Sequence, residues 1–326
     1  MGFAARQTSV AYAVVLATLL LAACPVGGPD TNGNDSGLPQ NDVAVDADDG
    51  GPDPCGNGVC DEALGEDCES CLQDCRGVSC SAVLPLTIQE YRDVYMHLVL
   101  GQTVVDLRDH AVCMMGRIPG DTFCTELEFW WDGAQITDNG GYLDAVTNSL
   151  GNPLIFYGWE ADAALVLAVA EASVALGYSD VLTIWGGIDA WELEGWYKDI
   201  TQEGLNAHYY PPTAGVLLID TMEDTDFELC HVADATHLAV VDIVLYGEIV
   251  DGGQALLDLS DPADDDVLIF FCVNSACESS EQASEVAEWL GYANILHYKE
   301  GTHYWVCDQS LPAEGADCTG YCSTAP

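Results

Sequence analysis

The chain has 326 residues, 49% of them hydrophobic, with 7 Lys+Arg against 54 Asp+Glu and a formal net charge of −47. That length and apolar content suit about two ordinary domains with real cores and exclude wholesale disorder. The charge excludes nucleic acid and anionic membrane surfaces as electrostatic partners, because so few basic residues cannot neutralise a phosphate backbone. Fifteen cysteines point to an oxidising compartment.

In chain order, residues 1–23 read as a signal peptide. A short segment with one basic residue, Arg6, precedes the apolar run Ala11–Ala23. That run is too short to span about 30 Å of hydrocarbon as a helix but has the length of a signal-peptide core. Leu21-Ala22-Ala23-Cys24 resembles a bacterial lipobox. The resemblance implies a lipid on the Cys24 sulfur and a lipid-anchored place in the bacterial cell envelope, with the membrane met only through that anchor. Residues 24–54 are rich in Gly, Pro, Asp and Asn and read as a flexible, self-repelling tether.

Residues 55–80 hold six cysteines, Cys55, Cys60, Cys68, Cys71, Cys75 and Cys80. A module this small cannot bury a sufficient core, so disulfides are expected to hold it. Its text resembles the small repeats of Notch-like extracellular modules, in which interleaved Asp and Asn bind calcium. Asn57, Asp61, Asp67 and Asp74 are the corresponding candidates, since oxygen donors suit a hard cation. Zinc on Cys68 and Cys71 is the rival reading.

Residues 84–200 alternate strand and helix signals. Strands are expected at Thr103–Asp106, Pro153–Tyr157 and Ser179–Trp185, and a helix over Ala161–Leu176 ending at Gly177. Residues 213–310 repeat the order, with strands at Gly215–Asp220, Val267–Phe271 and Ala293–Tyr298 and a helix over Ser280–Leu290 ending at Gly291. Tyr157 aligns with Phe271, and Leu176-Gly177-Tyr178 with Leu290-Gly291-Tyr292, both at an offset of 114. The expected fold class is α/β: two similar domains, each a parallel sheet with helices on both faces. A Cys-containing tail, 311–326, follows.

Both halves resemble rhodanese-like (sulfurtransferase) domains. In the first, Asp106-Leu-Arg108, Gly116-Arg117-Ile-Pro-Gly120 and Trp185-Gly-Gly-Ile-Asp-Ala-Trp191 carry the likeness, with Arg117 where the family has His. In the second, Asp220, Gly291-Tyr292 and Glu300-Gly301-Thr302-His303-Tyr304-Trp305 match more loosely. The resemblance implies a nucleophilic Cys at the end of the central strand. Backbone N–H groups of the following loop and helix stabilise its thiolate or persulfide. In the first half that position is Gly158, which offers no sulfur and implies an inactive copy. In the second it is Cys272, followed by the loop Val273, Asn274, Ser275, Ala276 and Cys277. The implied activity moves sulfur from a small donor to a thiol-bearing acceptor, without a required cofactor.

Three features qualify that activity. The loop carries no basic residue, and residues 213–309 have 20 Asp+Glu against Lys299 alone, a field opposed to dianionic donors. Glu278 stands where phosphatases of related fold need Arg. Cys277 can close a disulfide with Cys272, which would silence the site or make it a thiol–disulfide pair. A silent binding or scaffold protein is therefore the alternative of another class. Beyond these, Cys113 and Cys124 are the easiest local pair, and Cys307, Cys318 and Cys322 are expected to staple the tail with Cys230. Ser275 and Glu278 have capping-box spacing. His231 and His303 are read as flanking the loop, mostly in structural roles. Trp185, Trp191 and Trp305 are read as core or interface aromatics.

Overall fold

The computed structural model describes residues 83–324 except 97, 98, 100, 138–140 and 148. The signal run, Cys24, the tether and the whole Cys55–Cys80 module with Asn57, Asp61, Asp67 and Asp74 lie outside the described residues.

The described chain builds two five-stranded parallel sheets. The first contains β1 (Val83–Leu86), β2 (Thr103–Asp106), β3 (Thr122–Cys124), β4 (Leu154–Tyr157) and β5 (Val181–Ile184), in the order β1-β5-β4-β2-β3. Its middle strand β4, Leu-Ile-Phe-Tyr, is buried along its whole length because both faces are covered, as parallel sheets require. Val105 and Phe156 face a layer with Val169 and Ala170. Their neighbours Val104, Ile155 and Tyr157 face the opposite layer with Ile188 and Trp191. The covering helices are α1 (Ala163–Ala175) on one face and α2 (Gly187–Leu193) on the other.

The second sheet contains β6 (Lys198–Asp199), β7 (Val216–Asp220), β9 (Thr236–His237), β12 (Val267–Phe271) and β13 (Ile295–Tyr298), in the order β6-β13-β12-β7-β9. Two short antiparallel ribbons accompany it, β8 (His231–Val232) with β14 (Ala313–Glu314) and β10 (Val244–Leu245) with β11 (Glu248–Ile249). Ile219, Leu268 and Phe270 pack toward Ala283 and Ala287, while Leu218, Ile269 and Phe271 pack toward Leu205 and Trp305. These partners sit on α3 (Gln202–His208), α4 (Ser279–Leu290) and the segment opening with α5 (Gly301–His303). The two strand orders correspond position for position, each with its middle strand leading into a long helix.

The halves are tied at β6. Lys198 and Asp199 pair with Leu296 and His297 of β13, while Asp199 also exchanges backbone hydrogen bonds with Arg117 of the first half, at 2.9 and 3.0 Å. Arg92 meets Glu288 at 2.6 Å, and the second oxygen of Glu288 accepts from the Tyr197 amide at 2.6 Å.

Four disulfides close the described chain: Cys113–Cys124, Cys230–Cys318, Cys272–Cys277 and Cys307–Cys322. One expectation is corrected, and one is narrowed to its interface alternative. The Ser275/Glu278 capping box does not form. Helix α4 begins at Ser279, its N-cap is Glu278, and no side chain caps it, because the preceding loop is already closed by Cys272–Cys277 and a turn at Asn274. Trp185 is not a core residue; it is 74% exposed, whereas Trp191 and Trp305 are fully buried. No helix among the described residues is long and apolar enough to cross a membrane.

Candidate functional site

Strand β12 delivers Cys272 to the end of the sheet, directly after Phe271, whose neighbours in register are Asp220 and Tyr298. The residue is only 3% exposed. Its sulfur is bonded to Cys277, so five residues of separation close a ring of backbone at the head of α4. Inside that ring Asn274 makes the turn. Its side-chain oxygen accepts from the Ala276 amide at 3.0 Å and its carbonyl accepts from the Cys277 amide at 3.1 Å. Two of the loop's N–H groups are therefore occupied within the loop rather than turned toward the sulfur.

The loop is gripped from the other side by α5. The amides of Thr302 and His303 donate to the carbonyls of Cys272 and Val273, at 2.9 and 2.8 Å. That approach requires glycine at 301. Gly301 has φ +71°, and a Cβ there would run into the Cys272 carbonyl.

The electrostatic surroundings differ from what the second half's own residues imply. Ser275 opens onto a cavity of about 300 Å³ that is walled on its far side by the first half, with Gln102, Arg117 and Asp121 opposite Lys299 and Glu300. Arg117 lies 4.0 Å from Glu300, and Lys299 lies 3.5 Å from Asp121. Two cations thus face the loop, one from each half. Among the described residues, Gln102 Oε1, Arg117 Nε and Glu300 Oε2 are buried without a hydrogen-bond partner. Burial pushes the Glu300 carboxyl up, and the Arg117 charge only partly offsets it. The cavity lining therefore holds two cations and two carboxylates, with no excess of positive charge.

Two aspartates end equivalent strands in the two halves, Asp106 on β2 and Asp220 on β7, in different company. Asp106 is gripped by Arg108 at 2.6–3.0 Å and accepts from the Tyr157 hydroxyl at 2.6 Å. Asp220 has the Met222 amide at 3.0 Å and the Thr302 hydroxyl at 3.3 Å, and no cation. Burial pushes its pKa up to about 7, against the pull of those two donors. Under α4, His297 Nδ1 meets Asp199 at 2.8 Å while its Nε2 meets Ser280 Oγ at 3.0 Å. Burial works to raise the Asp199 pKa, but the His297 hydrogen bond and charge, helped by Arg117 and Lys299, hold it below the usual carboxylate range. All three residues are buried, so this chain braces β6, β13 and α4 together rather than facing a substrate.

In the first half, Gly158 occupies the position equivalent to Cys272. Its carbonyl accepts from Ile188 at 3.1 Å, and the Gly187 backbone packs so close that a Cβ there would overlap that carbonyl. An apolar cavity of about 530 Å³ lies alongside, lined by Trp159, Val166, Leu167 and Trp185 among others. Among the described residues, no cysteine or methionine lines it. His231 is not at the loop: on β8 it stacks on Phe227 and bonds to the Phe227 carbonyl at 2.7 Å. His303 touches the loop through its backbone, and its ring turns to Asp308 at 3.9 Å.

Sequence reasoning noted Arg117 as a departure from the family motif but missed that it faces the second half's loop. It also missed Thr302, Ser280 and His297. The glycine at 301 is the signal that could have exposed the α5 contact.

Residues 207–307 match the model of the Rhodanese-like domain. No curated protein matches the chain. Among solved structures, the BH2092 protein from Bacillus halodurans is 18% identical over 39% of this chain and 82% of its own, with a TM-score of 0.30. A 3-mercaptopyruvate sulfurtransferase from Leishmania major is 13% identical over 72% of this chain and 77% of its own, with a TM-score of 0.28. The 3-mercaptopyruvate sulfotransferase SseA from Escherichia coli is 15% identical over 67% of this chain and 98% of its own, with a TM-score of 0.27.

Proposed function

We propose that this chain is a rhodanese-type sulfurtransferase, anchored in a bacterial envelope through Cys24, that carries sulfane sulfur on Cys272 to a thiol acceptor. The observation that carries the reading is the position of Cys272, at the end of the central strand of the half that matches the rhodanese-like model, beside a cavity edged by Arg117 and Lys299. Arg117 and Lys299 offset the acidic charge of the cavity only locally, because each faces a carboxylate, Glu300 at 4.0 Å and Asp121 at 3.5 Å. A balanced lining of this kind suits a small polar donor or acceptor rather than a dianion. The four disulfides support an oxidising compartment.

With the Cys272–Cys277 bond open, the Cys272 thiolate attacks the outer sulfur of a sulfane donor. The donor's thiolate leaves and a persulfide remains on Cys272. An acceptor thiolate then takes the outer sulfur and restores the Cys272 thiolate. The adjoining N-terminus of α4 favours the anionic form of both sulfur species. The first half contributes Arg117 and a wall, and no nucleophile.

The test is sulfur uptake by the reduced protein, read by mass on the peptide containing Cys272. The expected result is a gain of one sulfur atom, abolished by Cys272→Ser and unchanged by Gly158→Ala. Uptake that survives Cys272→Ser would overturn the assignment. The bonded state of Cys272 and Cys277 favours thiol–disulfide exchange as the second reading. Exchange with a thiol-bearing protein, without sulfur uptake, would select it.

A further inference from the structure

We propose that Cys277 is a resolving thiol. On this account Cys277 expels the sulfur carried by Cys272 as hydrogen sulfide, so the site acts as a persulfide reductase as well as a transferase. The inference rests on the sulfurtransferase reading of Cys272.

The four disulfides of the described residues are unequal. Cys230–Cys318 spans 88 residues and pins the tail, and Cys307–Cys322 and Cys113–Cys124 each tie separate segments. Cys272–Cys277 spans 5 and closes only the loop of the candidate site. Constraint of the unfolded chain grows with loop length, so this bridge stabilises the fold least. Its place is better explained by chemistry.

The surroundings hold the loop in shape whether or not the bridge is closed. Thr302 and His303 hold the carbonyls of Cys272 and Val273, and the Asn274 turn holds the amides of Ala276 and Cys277. A reduced Cys277 therefore stays within reach of Cys272. The two cysteines are also unequally placed: residue Cys272 is buried and residue Cys277 is partly exposed. An incoming thiolate meets the Cys277 sulfur first, and the leaving group is then the Cys272 thiolate, the species that sulfur uptake requires.

The cycle balances. The Cys272 thiolate takes the outer sulfur of a persulfide donor, releasing the donor thiolate. The Cys277 thiolate attacks the inner sulfur of the Cys272 persulfide. The Cys272–Cys277 bond forms, the bond between inner and outer sulfur breaks, and the outer sulfur leaves as hydrosulfide. The sulfane sulfur gains two electrons and the cysteine pair loses two. A small or protein-borne dithiol then reduces the pair through a mixed disulfide on Cys277 and is itself oxidised to a disulfide.

The test is a single turnover of the full chain. It is reduced with dithiothreitol, desalted, shown by alkylation to carry thiols at Cys272 and Cys277, and mixed with glutathione persulfide. The wild type is expected to release sulfide stoichiometrically and to return with Cys272 and Cys277 bridged. Cys277→Ser is expected to keep the added sulfur on Cys272 and to release sulfide at least about tenfold more slowly. Cys277→Ala, checked for folding by near-ultraviolet circular dichroism, should do the same. Sulfide release from both variants at the wild-type rate would overturn the proposal. So would a wild-type protein that holds the persulfide beside an alkylatable Cys277. If Cys277→Ser takes up sulfur, the transferase reading stands whichever way the wild type behaves. If neither protein takes up sulfur, both readings fall.

Discussion

At the scale of single residues, Asp106 and Asp220 show how one missing cation changes a buried carboxylate. Arg108 neutralises Asp106, whereas Met222 stands at the equivalent place beside Asp220 and offers only its amide. The Asp220 pKa therefore rises from 3.8 to about 7. Below about pH 4 the carboxyl is protonated in both folded and unfolded chains, and its contribution to stability is fully present. As the pH rises the unfolded chain ionises first, so stability falls through this window and levels off above about pH 7. Asp220→Asn should remove that slope. At pH 8 the variant should be more stable than wild type by on the order of 4 kcal/mol, at about 1.4 kcal/mol per unit of pKa shift. At pH 4 the two should be nearly equal. Denaturant unfolding at both pH values checks this, and an equal difference at both would exclude the ionisation as its cause.

At the scale of elements, the site is a joint between the β12–α4 loop and the start of α5. The sequence alone makes β12 legible, since Val267–Phe271 is an unbroken apolar run and needs two covered faces. It also makes legible the left-handed glycine that ends α4 at Gly291. The grip of α5 on the loop was not legible. It depends on two backbone carbonyls and two amides, which every residue type supplies. Gly301 is its one side-chain signature. Gly301→Ala should cost about 1–3 kcal/mol, from a left-handed backbone together with the overlap on the Cys272 carbonyl. Thermal unfolding measures it, and no change in melting temperature would show that the loop tolerates displacement. The missing capping box has the same origin: turn and disulfide end the loop, so Ser275 faces a cavity instead of capping the helix.

At the scale of the whole molecule, the second sheet recruits its edge strand β6 from the connection between the halves. Arg117 and Arg92 of the first half both reach residues of the second. Arg92 is nearly buried against Glu288 and lies 4.4 Å from the Trp196 ring. Burial pushes the Glu288 carboxyl up, and Arg92 and the Tyr197 amide hold it down only in part. Glu288→Ala leaves Arg92 and the Tyr197 amide without their shared acceptor. The expected loss is about 2–4 kcal/mol, below the roughly 3–5 kcal/mol for breaking one side of a fully buried pair because both side chains keep some solvent contact. Calorimetry should show the single transition broadening or splitting as the halves uncouple. A sharp, unshifted transition would mean that β6 alone joins them.

The α/β class, the three inner strands of each sheet, the long helices and the 114-residue correspondence were legible in the sequence alone, because apolar runs and terminal glycines are local consequences of burial and backbone geometry; the edge strands β1, β3, β6 and β9 were not. The sequence brought Cys272 to a strand end and Gly158 to the matching one. It left open whether Cys272 bonds Cys277, and it could not place Arg117 beside Ser275 or assemble Asp199, His297 and Ser280. Only the tertiary structure decided these. They join residues far apart in the chain, and no local pattern records which distant partner a polar side chain meets once both are buried.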